Sequence, residues 1–99
     1  MKNLKKTGKG RYARKRIKFE LKADPESKVY IAGTFNNWNP KEKQLKDKKK
    51  DGNYSLFVLV PKGKQEYKFI INNDWCLDPN CMDRKKNKFG TYNNFIDVI

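Results

Sequence analysis

Two tryptophans of this chain sit where their neighbours offer them no core. Trp38 lies in Gly33-Thr34-Phe35-Asn36-Asn37-Trp38-Asn39-Pro40, directly after the strand-like run Lys28-Val29-Tyr30-Ile31-Ala32. Trp75 ends Asn72-Asn73-Asp74-Trp75, after the strand-like Glu66-Tyr67-Lys68-Phe69-Ile70-Ile71. A large aromatic held on a polar turn marks a place where something binds. An indole face attracts the axial C–H groups of a sugar ring. Side-chain amides beside it both donate and accept hydrogen bonds. Indoles among amides therefore suit a ligand that is apolar on one side and hydroxylated on its rim, and a sugar ring is such a ligand.

The elements that must hold these residues read as strands. Ile17, Phe19 and Leu21 share one parity against Lys18, Glu20 and Lys22, the pattern of a half-buried strand. Asp24-Pro25-Glu26-Ser27 is a turn, and Val29 and Ile31 continue the alternation. Lys41–Lys50 contains one apolar residue, Leu45, and reads as a solvated loop or a short edge strand. After the turn Asp51-Gly52-Asn53, Tyr54, Leu56, Val58 and Val60 face one way and Ser55, Phe57 and Leu59 the other. Pro61-Lys62-Gly63-Lys64 is a further turn. Gln65–Asn72 and Asn93–Ile99 complete the set, with Ile96 and Val98 on one face of the latter. No apolar period of 3.6 residues runs to helical length. Short strands joined by Gly, Pro and Asn turns predict an all-β sandwich. Tyr30 and Phe57 are expected to be packing residues.

Ninety-nine residues allow one domain with a single small core. The net charge is +13. Of 24 basic residues, nine lie in residues 1–18, six in Lys41–Lys50 and four in Arg84–Lys88. Such runs are either solvated loops or the footprint of a polyanion. Residues 1–13 are basic with little apolar content beyond Leu4, Tyr12 and Ala13, and a disordered tail is expected there, with the folded domain over 14–99. No apolar run approaches the roughly 18 residues of a membrane span, and no secretion signal is visible, so a cytoplasmic location without membrane partners is expected. With two cysteines, Cys76 and Cys81, and no histidine, a tetrahedral metal site is not expected. No cofactor is expected either. The thiols are expected to stay free, as a reducing compartment keeps them.

With the strands placed, the chain resembles carbohydrate-binding module family 48. That family includes the glycogen-binding domain of the AMP-activated protein kinase β subunit and the early-set domains of isoamylases and branching enzymes. Four segments carry the resemblance in order: Val29–Trp38, Tyr67-Lys68-Phe69, Trp75 with Asp78-Pro79, and Phe89-Gly90-Thr91-Tyr92-Asn93-Asn94-Phe95-Ile96. It covers about residues 14–99. It implies an immunoglobulin-like, early-set sandwich that binds α-1,4-linked glucan, of glycogen or starch type, without catalysis. It also implies an enzyme or kinase complex that carries such a module. By position, Trp38 and Trp75 become stacking platforms, while Lys68 and Asn93 bond sugar hydroxyls. Phe89 stands where kinase-type modules carry a leucine that pushes against the curved glucan. Asn73-Asp74 replaces the Asp-Gly of many members, so the turn before Trp75 is expected to differ.

Other functions fit less well. A glycosidase needs two positioned carboxylates in a cleft. Asp74 and Asp78, four residues apart in one loop, read as turn formers. A nucleic-acid or other polyanion binder would interleave aromatics with basic residues, whereas the two tryptophans lie in Asn-rich turns away from the basic runs. Nucleic-acid binding is therefore expected to be weak and salt-dependent. A protein-interaction module that has lost sugar binding would not need both tryptophans.

Overall fold

A computed structural model describes residues 14–99; the expected tail, residues 1–13, lies outside the described residues. The strands are β1 (Arg14–Lys22), β2 (Val29–Gly33), β3 (Lys43–Leu45), β4 (Asn53–Pro61), β5 (Gly63–Ile71), β6 (Asp74–Cys76), β7 (Arg84–Lys86) and β8 (Tyr92–Val98). One turn of 3-10 helix, Thr34–Asn36, follows β2. Antiparallel β1 and β4 form a small sheet along their whole length. The larger sheet runs β3-β2-β5-β8-β7, with β6 also pairing β5. The two sheets pack as the expected immunoglobulin-like β-sandwich. The lysine-rich segment contributes the short edge strand β3.

Strand β5 organises the larger sheet. One of its edges follows β2 from Tyr67 to Ile71. The other pairs with β8 up to Tyr67 and with β6 from Phe69. Lys68 thus stands where β5 changes partner. Alternation sends Tyr67 and Phe69 inward and Glu66, Lys68 and Ile70 to the outer face.

The core is the meeting of the two inner faces. Phe19, Leu21, Tyr54, Val58 and Val60 come from the small sheet, and Val29, Ile31, Tyr67, Phe69 and Val98 from the larger one. Leu45 explains the apolar exception in the lysine run, because it is buried opposite Val29. Burying each such side chain contributes about 1.5–3 kcal/mol. Phe19 meets Tyr67 edge-on at 4.9 Å, and Tyr67 meets Phe69 at 5.9 Å.

Two expected packing residues behave differently. Tyr30 is half-buried on the outer face of the larger sheet, opposite Gln44 and Ile70. Phe57 is 49% exposed. It points away from the core because Tyr54, Val58 and Val60 take the inner parity of β4. Its ring is covered in part by Arg16, whose guanidinium carbon lies 3.8 Å from the ring centroid. Cys76 and Cys81 are free, half-buried thiols, and burial pushes the Cys76 pKa up.

A buried polar knot ties the 77–83 loop to β5 and β8 of the larger sheet. Asn94 is completely buried. Its Oδ1 accepts the Asp78 N–H at 2.7 Å, and its Nδ2 donates to the carbonyls of Asp78 and Cys81 at 3.2 Å. The Tyr67 hydroxyl donates to the Asp78 carboxylate at 2.7 Å. Asp78 is therefore a structural residue, as its reading as a turn former implied. Burial first, and Asp78 second, raise the Tyr67 pKa well above its ordinary value.

Asn94→Ala would leave the Asp78 amide and two carbonyls buried without these partners. We expect unfolding free energy to fall by about 3 kcal/mol, read by urea titration at constant m-value; a loss below about 1 kcal/mol would refute the role given to the knot. The Tyr67 contribution has a defined sign. Folded Tyr67 keeps its proton where the unfolded side chain ionises, near pH 10. Its stabilisation is complete below that pH and is lost above it. Tyr67→Phe should flatten the alkaline fall in stability, measured as denaturant midpoint against pH.

Candidate functional site

Three turns bring the sequence-predicted residues together on the outer face of the larger sheet. The first follows β2. Gly33 has no room for a Cβ, which would meet the Glu66 carbonyl oxygen, the Phe35 ring at 2.8 Å and Tyr67 Cβ at 2.9 Å. This close approach seats the turn directly on β5. Asn36 Oδ1 accepts the Gly33 N–H at 2.9 Å, and the Trp38 N–H reaches the Gly33 carbonyl at 2.9 Å. Thr34 fastens the same turn to β5, with its Oγ1 donating to Gln65 Oε1 at 2.5 Å and accepting the Glu66 N–H at 3.1 Å. Asn37 and Trp38 both take positive φ, 55° and 57°. Asparagine tolerates that region, whereas a bulky residue is strained in it by about 1–2 kcal/mol. The surrounding bonds hold Trp38 there, half-buried.

The second turn is the β5–β6 hairpin. Ile71 pairs with Asp74 across the two residues Asn72 and Asn73, whose φ values are 50° and 75°. Two positive φ values in a two-residue loop are the signature of a type I′ turn, which matches strand twist and favours asparagine. Asn72 and Asn73, both left-handed, thus supply the turn before Trp75. Asn72 also pins the hairpin to the β1–β2 side, because its Oδ1 accepts the Lys28 N–H at 2.9 Å. Trp75 then stands opposite Ile70 on the outer face and is 48% exposed. The Trp38 and Trp75 ring centroids are 6.5 Å apart, with planes tilted by 43°.

The third turn joins β7 to β8 and is built by Asn87. Its Oδ1 accepts the N–H groups of Phe89 and Thr91 at 2.9 and 3.1 Å. Its Nδ2 donates to Thr91 Oγ1 at 2.7 Å and to Asn93 Oδ1 at 3.1 Å. One side chain thus shapes the loop and presents Phe89, which is 80% exposed. Asn93 is buried, and its Nδ2 donates to Glu66 Oε1 at 3.0 Å. Lys68 Nζ lies 3.5 Å from Thr91 Oγ1.

All five expected residues, Trp38, Lys68, Trp75, Phe89 and Asn93, line one cleft of about 570 Å³. Three apolar surfaces bound it, and Lys68 supplies ammonium hydrogens. Asn93 already uses one N–H and one lone pair within the protein, so it offers one of each. Thr34, Glu66, Asn87, Lys88 and Thr91 also line the cleft, and none of them is among the sequence-predicted site residues. Glu66 shares strand parity with Lys68, which was a usable signal. Asn87, three residues before Gly90, carries the mark of an asparagine-capped turn. Glu66 is the one carboxylate lining this cleft, while Asp78 is buried in the core knot. Among the described residues no cluster of three or more His, Cys, Asp or Glu is placed to hold a metal.

Residues 16–99 match the family described as the glycogen recognition site of AMP-activated protein kinase. The chain is 33% identical over 70 residues, 71% of its length, to the 5'-AMP-activated protein kinase subunit beta-1 of Sus scrofa, covering 53% of that sequence. It has the same identity over the same length to subunit beta-1 of Homo sapiens and subunit beta-2 of Mus musculus, covering 24% of each. The chain thus spans about half of the first relative and about a quarter of the others. The match encloses every element that shapes the cleft, from β2 through the three turns to β8, and the chain belongs to the glycogen-recognition family of AMP-activated protein kinase.

Proposed function

We propose that this protein binds α-1,4-linked glucan, of glycogen or starch type, without acting on it chemically. The observation that carries the proposal is the convergence of Trp38 and Trp75 beside Lys68 and Asn93 in one cleft. The two indoles are the stacking platforms. Their 43° tilt suits a curved rather than a flat run of glucose rings. Lys68 donates to sugar hydroxyls. Asn93 adds its remaining donor and acceptor, held in orientation by Glu66 and Asn87. Phe89 presses on the glucan from the opposite loop with a flat, wide face. The longer proteins that share this domain are kinase subunits. Bringing a kinase complex to glucan is the role that similarity supports.

The absence of a carboxylate pair in the cleft supports a noncatalytic reading. Glycoside hydrolysis places two carboxyl groups about 5–10 Å apart across the bond, and Glu66 stands alone and bonded to Asn93. Incubation of the purified protein with amylose is expected to release no reducing ends. Sugar release that persists through repurification would sink the noncatalytic assignment.

Maltoheptaose should bind with micromolar to millimolar affinity, roughly −8 to −4 kcal/mol. Trp38→Ala and Trp75→Ala should each weaken it at least about tenfold, about 1.4 kcal/mol, measured by calorimetry. Asn87→Ala should weaken it by a similar factor through disorder of the Phe89 loop. Unchanged affinity in both tryptophan variants removes the proposal. Because stacking and neutral hydroxyls carry the contact, affinity should change little with salt.

Trp38 also allows stability and binding to be separated. Its positive φ is relieved by glycine. Trp38→Gly should therefore keep or raise the melting temperature, while glucan binding is lost. A sharp loss of stability would instead mean that Trp38 serves the fold.

A further inference from the structure

The two sheets carry different outer faces, and the small one has no part in the glucan cleft. On β1, Arg14, Arg16, Lys18, Glu20 and Lys22 all point outward and are exposed. Register places Arg16 opposite Leu59 and Lys18 opposite Phe57, which are 59% and 49% exposed. The Arg16 guanidinium lies 3.8 Å from the Phe57 centroid, and Lys18 Nζ lies 5.8 Å from it. Basic groups and the Phe57 ring are therefore interleaved on this face, while the two tryptophans lie apart from it on the other sheet.

The lysine-rich loop extends the same face. Lys46 forms a bridge to Ser55 of β4, so the loop folds back beside β1 and β4. Lys18, Lys22, Lys46, Lys48 and Lys49 line a cleft of about 420 Å³ there. The acids Glu20 and Asp51 line the cleft as well, and Asp47 makes no ion pair with the lysines. Its two carboxylate oxygens accept the N–H groups of Asp51 and Gly52 at 3.1 and 2.7 Å. Asp51 accepts the Asn53 N–H at 3.1 Å, the bond that chiefly lowers its pKa. The loop is thus shaped by its acids, while Lys48 and Lys49 are left exposed and Lys46 Nζ donates to Gln44 Oε1 at 3.2 Å. Among the described residues the one ion pair is Lys18–Glu20, at 3.2 Å and exposed.

We propose that the outer face of β1–β4, with the lysine loop, is a second binding surface, for single-stranded nucleic acid. Four observations select this partner among anionic ones. The stripe from Arg14 to Lys22 is about 26 Å long, at about 3.3 Å per residue, so it fits a linear polyanion. Arg14, Arg16 and Lys18 stand about 7 Å apart, two residues at about 3.3 Å each, so they can meet successive phosphates of an extended strand. Phe57 and the guanidinium of Arg16 offer a flat surface to an unpaired base. The lysine cleft is concave, and a flexible strand enters it where a flat bilayer does not. Glu20 interrupts the stripe, and its pairing with Lys18 keeps that point neutral. The glucan cleft lies on the other sheet, so both ligands bind together.

The test is fluorescence anisotropy with a labelled oligouridylate of about twenty nucleotides. With about five phosphates contacted, log Kd should change with log salt by about 3.5, or about a hundredfold between about 50 and 200 mM. Replacing Lys46, Lys48 and Lys49 by Ala should reduce both affinity and that slope. Phe57→Ala should weaken binding about tenfold with the slope unchanged, because stacking releases no counterions. The matched control replaces Arg84, Lys85 and Lys86 of β7, which lowers net charge equally on the other sheet. That control should keep most of the affinity. Equal losses in the two triple variants would reduce the effect to bulk charge and overturn the proposal. So would unchanged binding in Phe57→Ala, or binding of phosphatidylserine vesicles in place of RNA. Maltoheptaose affinity, measured on every variant, confirms folding and separates this face from the glucan reading. Saturation with maltoheptaose should leave the RNA curve unmoved.

Discussion

Two adjacent asparagines on one strand do opposite work, and the rest of the structure hangs on the inner one. Asn94 points into the sandwich and satisfies three backbone groups of the 77–83 loop with one amide. A buried polar group without partners costs about 1–3 kcal/mol, so this amide and this loop hold each other in place. The loop in turn delivers Asp78 to the Tyr67 hydroxyl. Tyr67 is the central aromatic of the core, touching both Phe19 and Phe69. Strand alternation then forces Asn93 outward, where it meets Glu66 and Asn87. Core and cleft are thus set by one register of β8 against β5. A one-residue slip would exchange the two asparagines and dissolve both.

The cleft itself is made of turns clamped by side-chain amides. Asn36, Asn72 and Asn87 each accept backbone N–H groups that would otherwise need water or another strand. This explains why the chain places asparagine so densely around its tryptophans. The amides need not all touch a ligand, because several of them form the scaffold. Rigid turns limit the entropy that binding must remove. The left-handed backbone of Trp38 is the local strain that such clamping allows.

Charge is segregated in a way that the total of +13 conceals. The cleft is bounded by indole and phenyl surfaces, and its Lys68 stands two residues from Glu66 on the same strand face. On the small sheet and its lysine loop, Asp47 and Asp51 are bound to backbone amides, and Lys18 is the one cation in an ion pair among the described residues. A shallow aromatic cleft, with Lys68 and Lys88 beside the single carboxylate Glu66, and a more strongly basic face on the opposite sheet are compatible in one small domain, because each sheet has only one side committed to the core.

Parity and turn chemistry made most of the fold legible in advance. Alternation in Ile17–Leu21 and Tyr54–Val60 told which side chains face the core, since period two is a property of the strand alone. Trp38 and Trp75 were legible as surface residues because their neighbours are polar and their turns are local. The membership of Trp38, Lys68, Trp75, Phe89 and Asn93 in one group was legible through family resemblance, not spacing. Only the tertiary structure decided that they share one cleft, because the contacts come from three separate turns met across β5. It also decided that Asn87 and Glu66 belong with them, and that Asn93 is partly occupied by protein. The exposure of Phe57 under Arg16 was likewise decided by pairing between distant strands. A sequence states what each side chain can do and which way a strand turns it. Which partners it finds across the sheet depends on register and closure, and these are long-range properties of the folded chain.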